Sequence, residues 1–277
     1  MAKKKKSKKT RKHWRTAGSS DRHELYELSV QEPSSEVDLI DQVWKEQHTR
    51  KCQTIREDFC GTAAVCGEWV KRRRKNAAIG VDFDAEVLDW GRKRMQKRLN
   101  GEQRGRVQLI CNDVLSVETE PVDSVLAMNF SYYIFQTRDE LRRYFQRARD
   151  ALVDDGMMLI DAYGGSDSFV EMEEERDMDG FTYIWDQDSY DPITGIAVNY
   201  IHFAFPDDTE MRKAFTYKWR VWTLPEIREL LTEAGFRKVV VYWEGTDEET
   251  EEGNGEWSVA TCGEACPSWV AYLVAKK

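Results

Sequence analysis

Residues 54 to 161 repeat one pattern, a short apolar run that ends in a polar residue and leads into a stretch with helical periodicity. The runs lie at 54–58, 77–82, 107–111, 122–128 and 157–161. Helices are expected after the small-residue turn 60–64, with Val65, Trp69 and Val70 facing in, over 84–99 with Asp84 as cap, and over 138–152. Strands separated by helices of this length pair in parallel through crossovers rather than as hairpins. Two further apolar runs near the C-terminus, 236–243 and 269–275, complete the set. The expected fold class is α/β: a Rossmann-like, mostly parallel seven-stranded sheet with helices on both faces. Ligands of such sheets bind at the carboxyl ends of the strands.

That rule gives the strand ends their meaning. They carry Glu57, Asp82, Asn112 with Asp113, Asn129 and Asp161, which places five polar ends along one edge. The first strand turns through Cys60-Gly61-Thr62, where Gly61 admits a ligand close to the backbone and the helix start offers unpaired amides to an anion. A dinucleotide would set its pyrophosphate beside Glu57 and Asp58, which repel it, and two glycines of that fingerprint are here Phe59 and Ala63. A cationic ligand with a carboxylate tail suits the turn better, and S-adenosylmethionine is one. An ordinary strand–turn–helix with a solvated carboxylate pair is the competing explanation of the turn taken alone.

The alternation stops after residue 161. Period-two patterning over 181–186, 196–205 and 211–222, separated by turn residues, predicts an antiparallel β insertion across 181–222. A helix capped by Thr223, with Pro225 in its first turn and Gly235 at its end, precedes the sixth strand. Ahead of the first strand, residues 21–50 read as a helical cover of two helices, the second capped by Ser34 or Ser35. The expected domains are thus a disordered basic tail over 1–20, this cover, and one α/β domain over 51–277 that contains the insertion.

Charge is unevenly spread. Nine of the 41 basic residues and no acid fall in residues 1–20, leaving 32 basic against 50 acidic residues in the remainder. A body with a balance of −18 is a poor grip for a polyanion, so any nucleic-acid contact is expected to be weak and confined to the tail. The tail also fits plain solvation. No run approaches the ~20 apolar residues that span a bilayer, and no apolar segment follows the basic N-terminus, so a cytoplasmic chain without a membrane partner is expected. The six cysteines read as reduced thiols. Cys262 and Cys266 stand close but lack a second pair or a nearby histidine, and no metal site is expected.

Taken together these residues resemble the class I S-adenosylmethionine-dependent methyltransferases over about residues 50 to 277. The resemblance implies cofactor contacts from Glu57, Cys60, Gly61 and Thr62 at the first turn, from Asp82 and Phe83 at the second strand end, from Asp113 and Val114 at the third, and from Asn129 at the fourth. Arg56 or a backbone amide is left to hold the methionine end, because two turn glycines are replaced. The insertion and the Trp-Thr-Leu-Pro-Glu-Ile helix at 222–227 look like the substrate lid of glycine and amino-sugar N-methyltransferases, and the phrases at 56–62 and 129–133 resemble a bacterial subfamily of the same class. Implied substrate contacts are Tyr26, Tyr163, Trp185 and Arg220, and implied general-base candidates are Tyr133, Tyr132 and His202. The activity implied is methyl transfer from S-adenosylmethionine to a small-molecule N or O nucleophile, leaving S-adenosylhomocysteine, in a protein able to pair as a homodimer. An RNA or protein methyltransferase docking through the tail, and a non-catalytic scaffold on the cofactor fold, are the rival readings.

Overall fold

A computed structural model describes residues 15–246 and 253–277. The basic run 1–14 and the acidic loop 247–252 lie outside the described residues, together with the expectations placed on them. Residues 15–20, expected as part of a disordered tail, are ordered: Thr16 and Ser19 form a capping box around a short turn, and Thr209 accepts the Ala17 amide at 3.0 Å.

The cover consists of α1 (Arg22–Ser29), whose first amides bond to Asp21, and α2 (Pro33–Gln47). No side chain caps α2. Pro33 opens it, so Ser34 and Ser35 fall inside its first turn instead of ahead of it. The alternating part then runs β1 (Thr54–Asp58), α3 (Ala64–Arg72), β2 (Ala77–Asp82), α4 (Ala85–Arg98) capped by Asp84, the short α5 (Gly101–Arg104), β3 (Val107–Cys111), β4 (Val122–Ala127), α6 (Arg138–Asp150) and β5 (Leu152–Gly164). Four strands follow, β6 (Met172–Asp177), β7 (Thr182–Asp191), β8 (Ile196–Ala204) and β9 (Glu210–Arg220). The chain closes with α7 (Leu224–Glu233), β10 (Lys238–Thr246), β11 (Gly253–Ala260) and β12 (Trp269–Lys276).

The main sheet has the order β11-β10-β12-β5-β4-β1-β2-β3. Its centre, β5-β4-β1-β2-β3, is parallel, and β12 enters antiparallel between β5 and β10. The order reverses between β1 and β4, which makes the carboxyl ends there the natural ligand edge. The expected fold class holds, with eight strands instead of seven, because β11 pairs with β10 and adds an outer edge.

Parallel strands buried on both faces read as apolar runs, and residues 125–127 of β4 and 157–160 of β5 supply them. Val125, Ala127, Met158, Ile160 and Ala162 join the core under α6 and α7, whereas Leu126, Met157 and Leu159 join the core under α2, α3 and α4. A third core, around Leu25, Phe181, Ile201, Phe203 and Phe205, fastens α1 to the second sheet.

That second sheet is antiparallel, in the order β6-β7-β8-β9. It begins earlier than the expected insertion. Met172 to Asp177 reads Met-Glu-Glu-Glu-Arg-Asp, a composition poor in strand formers, and its register is set by pairing with β7.

Candidate active site

The turn after β1 keeps the shape of a glycine-rich loop with one glycine. Phe59, Gly61 and Ala63 all adopt left-handed backbone, at φ 56°, 51° and 56°. For Phe59 and Ala63 that conformation costs about 1–2 kcal/mol each, which the surrounding contacts offset. Phe59 stacks near Phe135 and Tyr144, and Ala63 is buried under Gly80. A side chain on Gly91 of α4 would meet the Thr62 carbonyl at 2.5 Å, so the helix lies directly against the turn. Glu57 accepts the Cys66 amide at 3.1 Å, at the start of α3, and Asp82 accepts the Gly61 amide at 2.8 Å, tying the β2 end to the turn. The Thr62 hydroxyl is buried without a partner. Burial pushes the Cys60 and Cys66 thiols well up, which removes them as nucleophiles.

Further along the same edge, Asp82 stands beside Phe83, whose ring is 73% exposed. Asn112 and Asp113 are exposed at the end of β3, with Val114 buried beneath them. Asn129 and Phe130, both left-handed, donate their amides to the Asp161 carboxylate at 2.7 and 2.9 Å. Sequence adjacency alone does not bring these residues together; the parallel register does.

A cavity of about 480 Å³ opens between this edge, α1 and the second sheet. Tyr26, Phe130, Tyr163, Trp185, Tyr217 and Trp219 line it with aromatic surface. Their ring centroids lie close: 4.8 Å for Phe130 to Tyr163, 4.4 Å for Tyr217 to Trp219, and 6.0 Å for Trp185 to Trp219. Asp161 is the buried carboxylate in its wall, 6% exposed. Glu174 and Arg176 of β6 add charge at the exposed side, and Arg176 lies 5.1 Å from the Tyr183 ring.

Of the residues singled out from sequence, Tyr26, Tyr163, Trp185 and Asn129 line this cavity. Four others do not. Arg56 alternates away from Glu57 on β1; its guanidinium pairs with Asp58 at 2.7 Å in the opposite core, where Tyr144 also bonds Asp58 at 3.1 Å. Tyr132 and Tyr133 are fully buried and spend their hydroxyls on backbone carbonyls, Tyr132 on Asp161 at 2.7 Å and Tyr133 on Tyr163 and Trp222 at 3.3 Å each. Arg220 lies 3.7 Å from the Trp222 ring and bonds Glu226 and the Gln136 carbonyl.

His202 is also displaced from the chemistry expected of it. Its neighbour Ile201 lines the cavity, so by strand alternation His202 faces the other side of the sheet, as Asp186 does beside Trp185. There His202 Nδ1 accepts the Lys213 amide at 2.7 Å and Nε2 faces Asp186 at 3.0 Å. Glu173, Asp186 and His202 bring their ligand atoms within 4.8 Å of one another. With Nδ1 held by an amide hydrogen, the neutral ring carries its proton on Nε2, where a metal would have to bind. The geometry therefore suits a structural histidine.

Residues the sequence reading passed over include Tyr217 and Trp219 as wall residues, Glu174 and Arg176 on the unexpected β6, Asp161 as more than a strand end, and Glu36. Glu36 sits on the buried face of α2, 8% exposed, and one of its carboxylate oxygens is buried without a partner. Burial raises three carboxyls here: Glu36 to about 8, with Glu57 and Asp161 adding repulsion, and Glu57 and Asp161 to about 7, each moderated by backbone amides. Burial also raises Asp82. An edge that holds several buried acids with raised pKa values is built for a cation.

Known proteins of similar sequence and fold are methyltransferases. Residues 58–160 match the methyltransferase domain family. No curated protein sequence matches the chain. Among solved structures, an S-adenosylmethionine-dependent methyltransferase from Clostridium acetobutylicum superposes with a TM-score of 0.66 at 16% identity, over 91% of this chain and 96% of that one. DesVI of Streptomyces venezuelae gives 0.66 at 16%, over 92% and 98%. An amino pentose methyltransferase from Micromonospora echinaspora, solved with S-adenosylmethionine bound, gives 0.63 at 15%, over 92% and 95%. At these identities the likeness is one of fold, the class I methyltransferase fold.

Proposed function

We propose that this chain, which carries an S-adenosylmethionine-dependent methyltransferase domain on the class I fold, methylates the nitrogen of a small-molecule amine held in the aromatic cavity. The observation that carries the reading is the meeting of an eight-ring aromatic wall, Tyr183 and Tyr272 included, with one buried carboxylate, Asp161, at the carboxyl ends of β4 and β5. Aromatic faces and a carboxylate attract a protonated amine, and neither favours an anionic or neutral hydroxyl acceptor. Solved relatives of the same fold are a sugar N-methyltransferase and a glycopeptide N-methyltransferase, which supports nitrogen as the acceptor.

The cofactor edge fits its ligand by its donor set. Asp82 and Phe83 offer a carboxylate for ribose hydroxyls and an exposed ring for the purine, with Asp113 and Val114 beside them. Gly61 and the unpartnered Thr62 hydroxyl would hold the amino-acid end, with Glu57 and Asn129, while Cys60 shapes the turn from within the core. When bound, S-adenosylmethionine supplies a methyl group already activated by its sulfonium.

The chain's own residues then have three tasks. The rings exclude water and fix the amine, and positioning of this kind is worth effective molarities of about 10⁵ M or more. Asn129 and Phe130 are locked by Asp161, so the loop between the two ligands is rigid. Asp161, with a pKa raised to about 7, takes the proton an ammonium must lose before its lone pair can attack.

The test is a panel of amino sugars and their hydroxyl counterparts, assayed for S-adenosylhomocysteine. Turnover of amines and none of the matched alcohols is expected; turnover of the alcohols alone would overturn the reading.

A further inference from the structure

Glu36 is an anomaly on a helix face that otherwise buries Val37, Ile40, Val43 and Trp44. It is more than nine-tenths buried, and Oε2 finds no hydrogen-bond donor. A buried carboxylate left without a donor is unfavourable, and natural chains retain one where a ligand supplies the missing partner. Its surroundings contain more acid. Glu57 of β1 and Asp161 of β5 act on it across the strand ends, and Glu32 acts from its own helix. Asp82 and Asp58 act on Glu57, and Tyr272 of β12 lies within reach of both Glu36 and Asp161. Among the described residues, no basic side chain is among the main groups acting on Glu36 or Asp161. Arg56, the neighbour of Glu57 in sequence, is consumed by Asp58 on the far side of β1.

We propose that Glu36 completes, with Glu57 and Asp161, a three-carboxylate pocket that makes the site prefer the sulfonium cofactor over its thioether product. The inference rests on the cofactor reading above and deepens it. S-adenosylmethionine carries an ammonium, a carboxylate and a sulfonium, a net charge of +1, and S-adenosylhomocysteine has lost the sulfonium charge. Methyl transfer therefore removes one positive charge beside acids contributed by α2, β1 and β5, of which Glu57 and Asp161 accept backbone amides and Glu36 keeps an oxygen without a donor. Before transfer the cation holds them ionised. Afterwards they repel one another, take up protons, and hold the product less tightly, so the same residues favour loading and release. Burial already keeps Glu36 protonated to about pH 8 in the free chain, so binding of the cation at neutral pH expels a proton and binding of the neutral product does not.

The experiment is isothermal titration of the full chain at pH 7 with S-adenosylmethionine and with S-adenosylhomocysteine, in two buffers of different ionisation enthalpy. Wild type is expected to release protons on binding the first and not the second. Glu36→Gln, which keeps the shape and removes the charge, is expected to weaken S-adenosylmethionine by about tenfold, the equivalent of one pKa unit of interaction, while S-adenosylhomocysteine changes by less than about twofold on the same scale. Glu36→Asp should retain the preference. Equal weakening of both ligands, or an unchanged ratio and unchanged proton release in Glu36→Gln, would overturn the inference and leave the cofactor reading standing. Wild type that binds neither ligand would overturn both.

Discussion

The two halves of the site are built by different means. The cofactor edge is made of backbone: a left-handed turn at Phe59, Gly61 and Ala63, amides donated to Glu57 and Asp82, and carboxylates fixed at strand ends by parallel register. The proposed acceptor cavity is made of side chains, eight aromatic rings drawn from α1, the β4 and β5 ends, β12 and the second sheet. Backbone scaffolding holds a ligand common to many proteins. Side chains on an appended sheet can change without disturbing it. The difference teaches that the cofactor is read from where the strands end, and the acceptor from which face of each strand looks inward. Asp161 belongs to both halves, since it anchors the Asn129 loop and also lines the cavity.

Substitutions should separate the halves if this division holds. Asp161→Asn should have the largest effect, lowering kcat/KM by about 10²- to 10⁴-fold as loss of a general base does, with a smaller change in cofactor affinity. Trp219→Ala should raise the acceptor KM by about tenfold through loss of ring contact and leave cofactor titration unchanged; an effect on cofactor alone would break the division. The cofactor-free protein should lose stability as pH rises from about 5 to about 8, because the folded chain keeps Glu36, Glu57 and Asp161 protonated to about 8, 7 and 7 while their ordinary values are 4.5, 4.5 and 3.8. In that window the folded state binds more protons than the unfolded one, so each added pH unit favours unfolding, and Glu36→Gln should flatten the fall in melting temperature. Tyr133→Phe should do least: its hydroxyl meets two carbonyls at 3.3 Å and the Tyr132 hydroxyl, all within the core, so turnover should stay within about twofold and stability within about 1 kcal/mol.

Much of the strand-end edge proposed for the cofactor was legible in the sequence. Glu57, Asp82 and Asp113 end apolar runs, and a parallel sheet puts every such end on one edge whatever the rest of the fold does. The left-handed turn was not legible, because Phe59 and Ala63 are residues that ordinarily avoid that conformation and tertiary contacts override the preference. On the acceptor side, residue type misled where strand parity decided. Arg56 and His202 are one position out of phase with the site, and the hydroxyls of Tyr132 and Tyr133 turn back into the core although their loop borders the cavity. The strand Met172–Asp177 was invisible because its charged sequence is a strand only through its partner β7, and with it went Glu174 and Arg176. Glu36 is set apart from the other polar positions of its helix only by its burial, which no local sequence feature marks.

The central claim, that the strand-end acids form an S-adenosylmethionine site, is tested most directly by titrating S-adenosylmethionine into wild type and Asp82→Ala. One cofactor per chain is expected for wild type, with at least about tenfold weaker binding in the variant, the usual range for a lost charge-assisted hydrogen bond. Equal affinity in both proteins, or no binding to wild type, would contradict it.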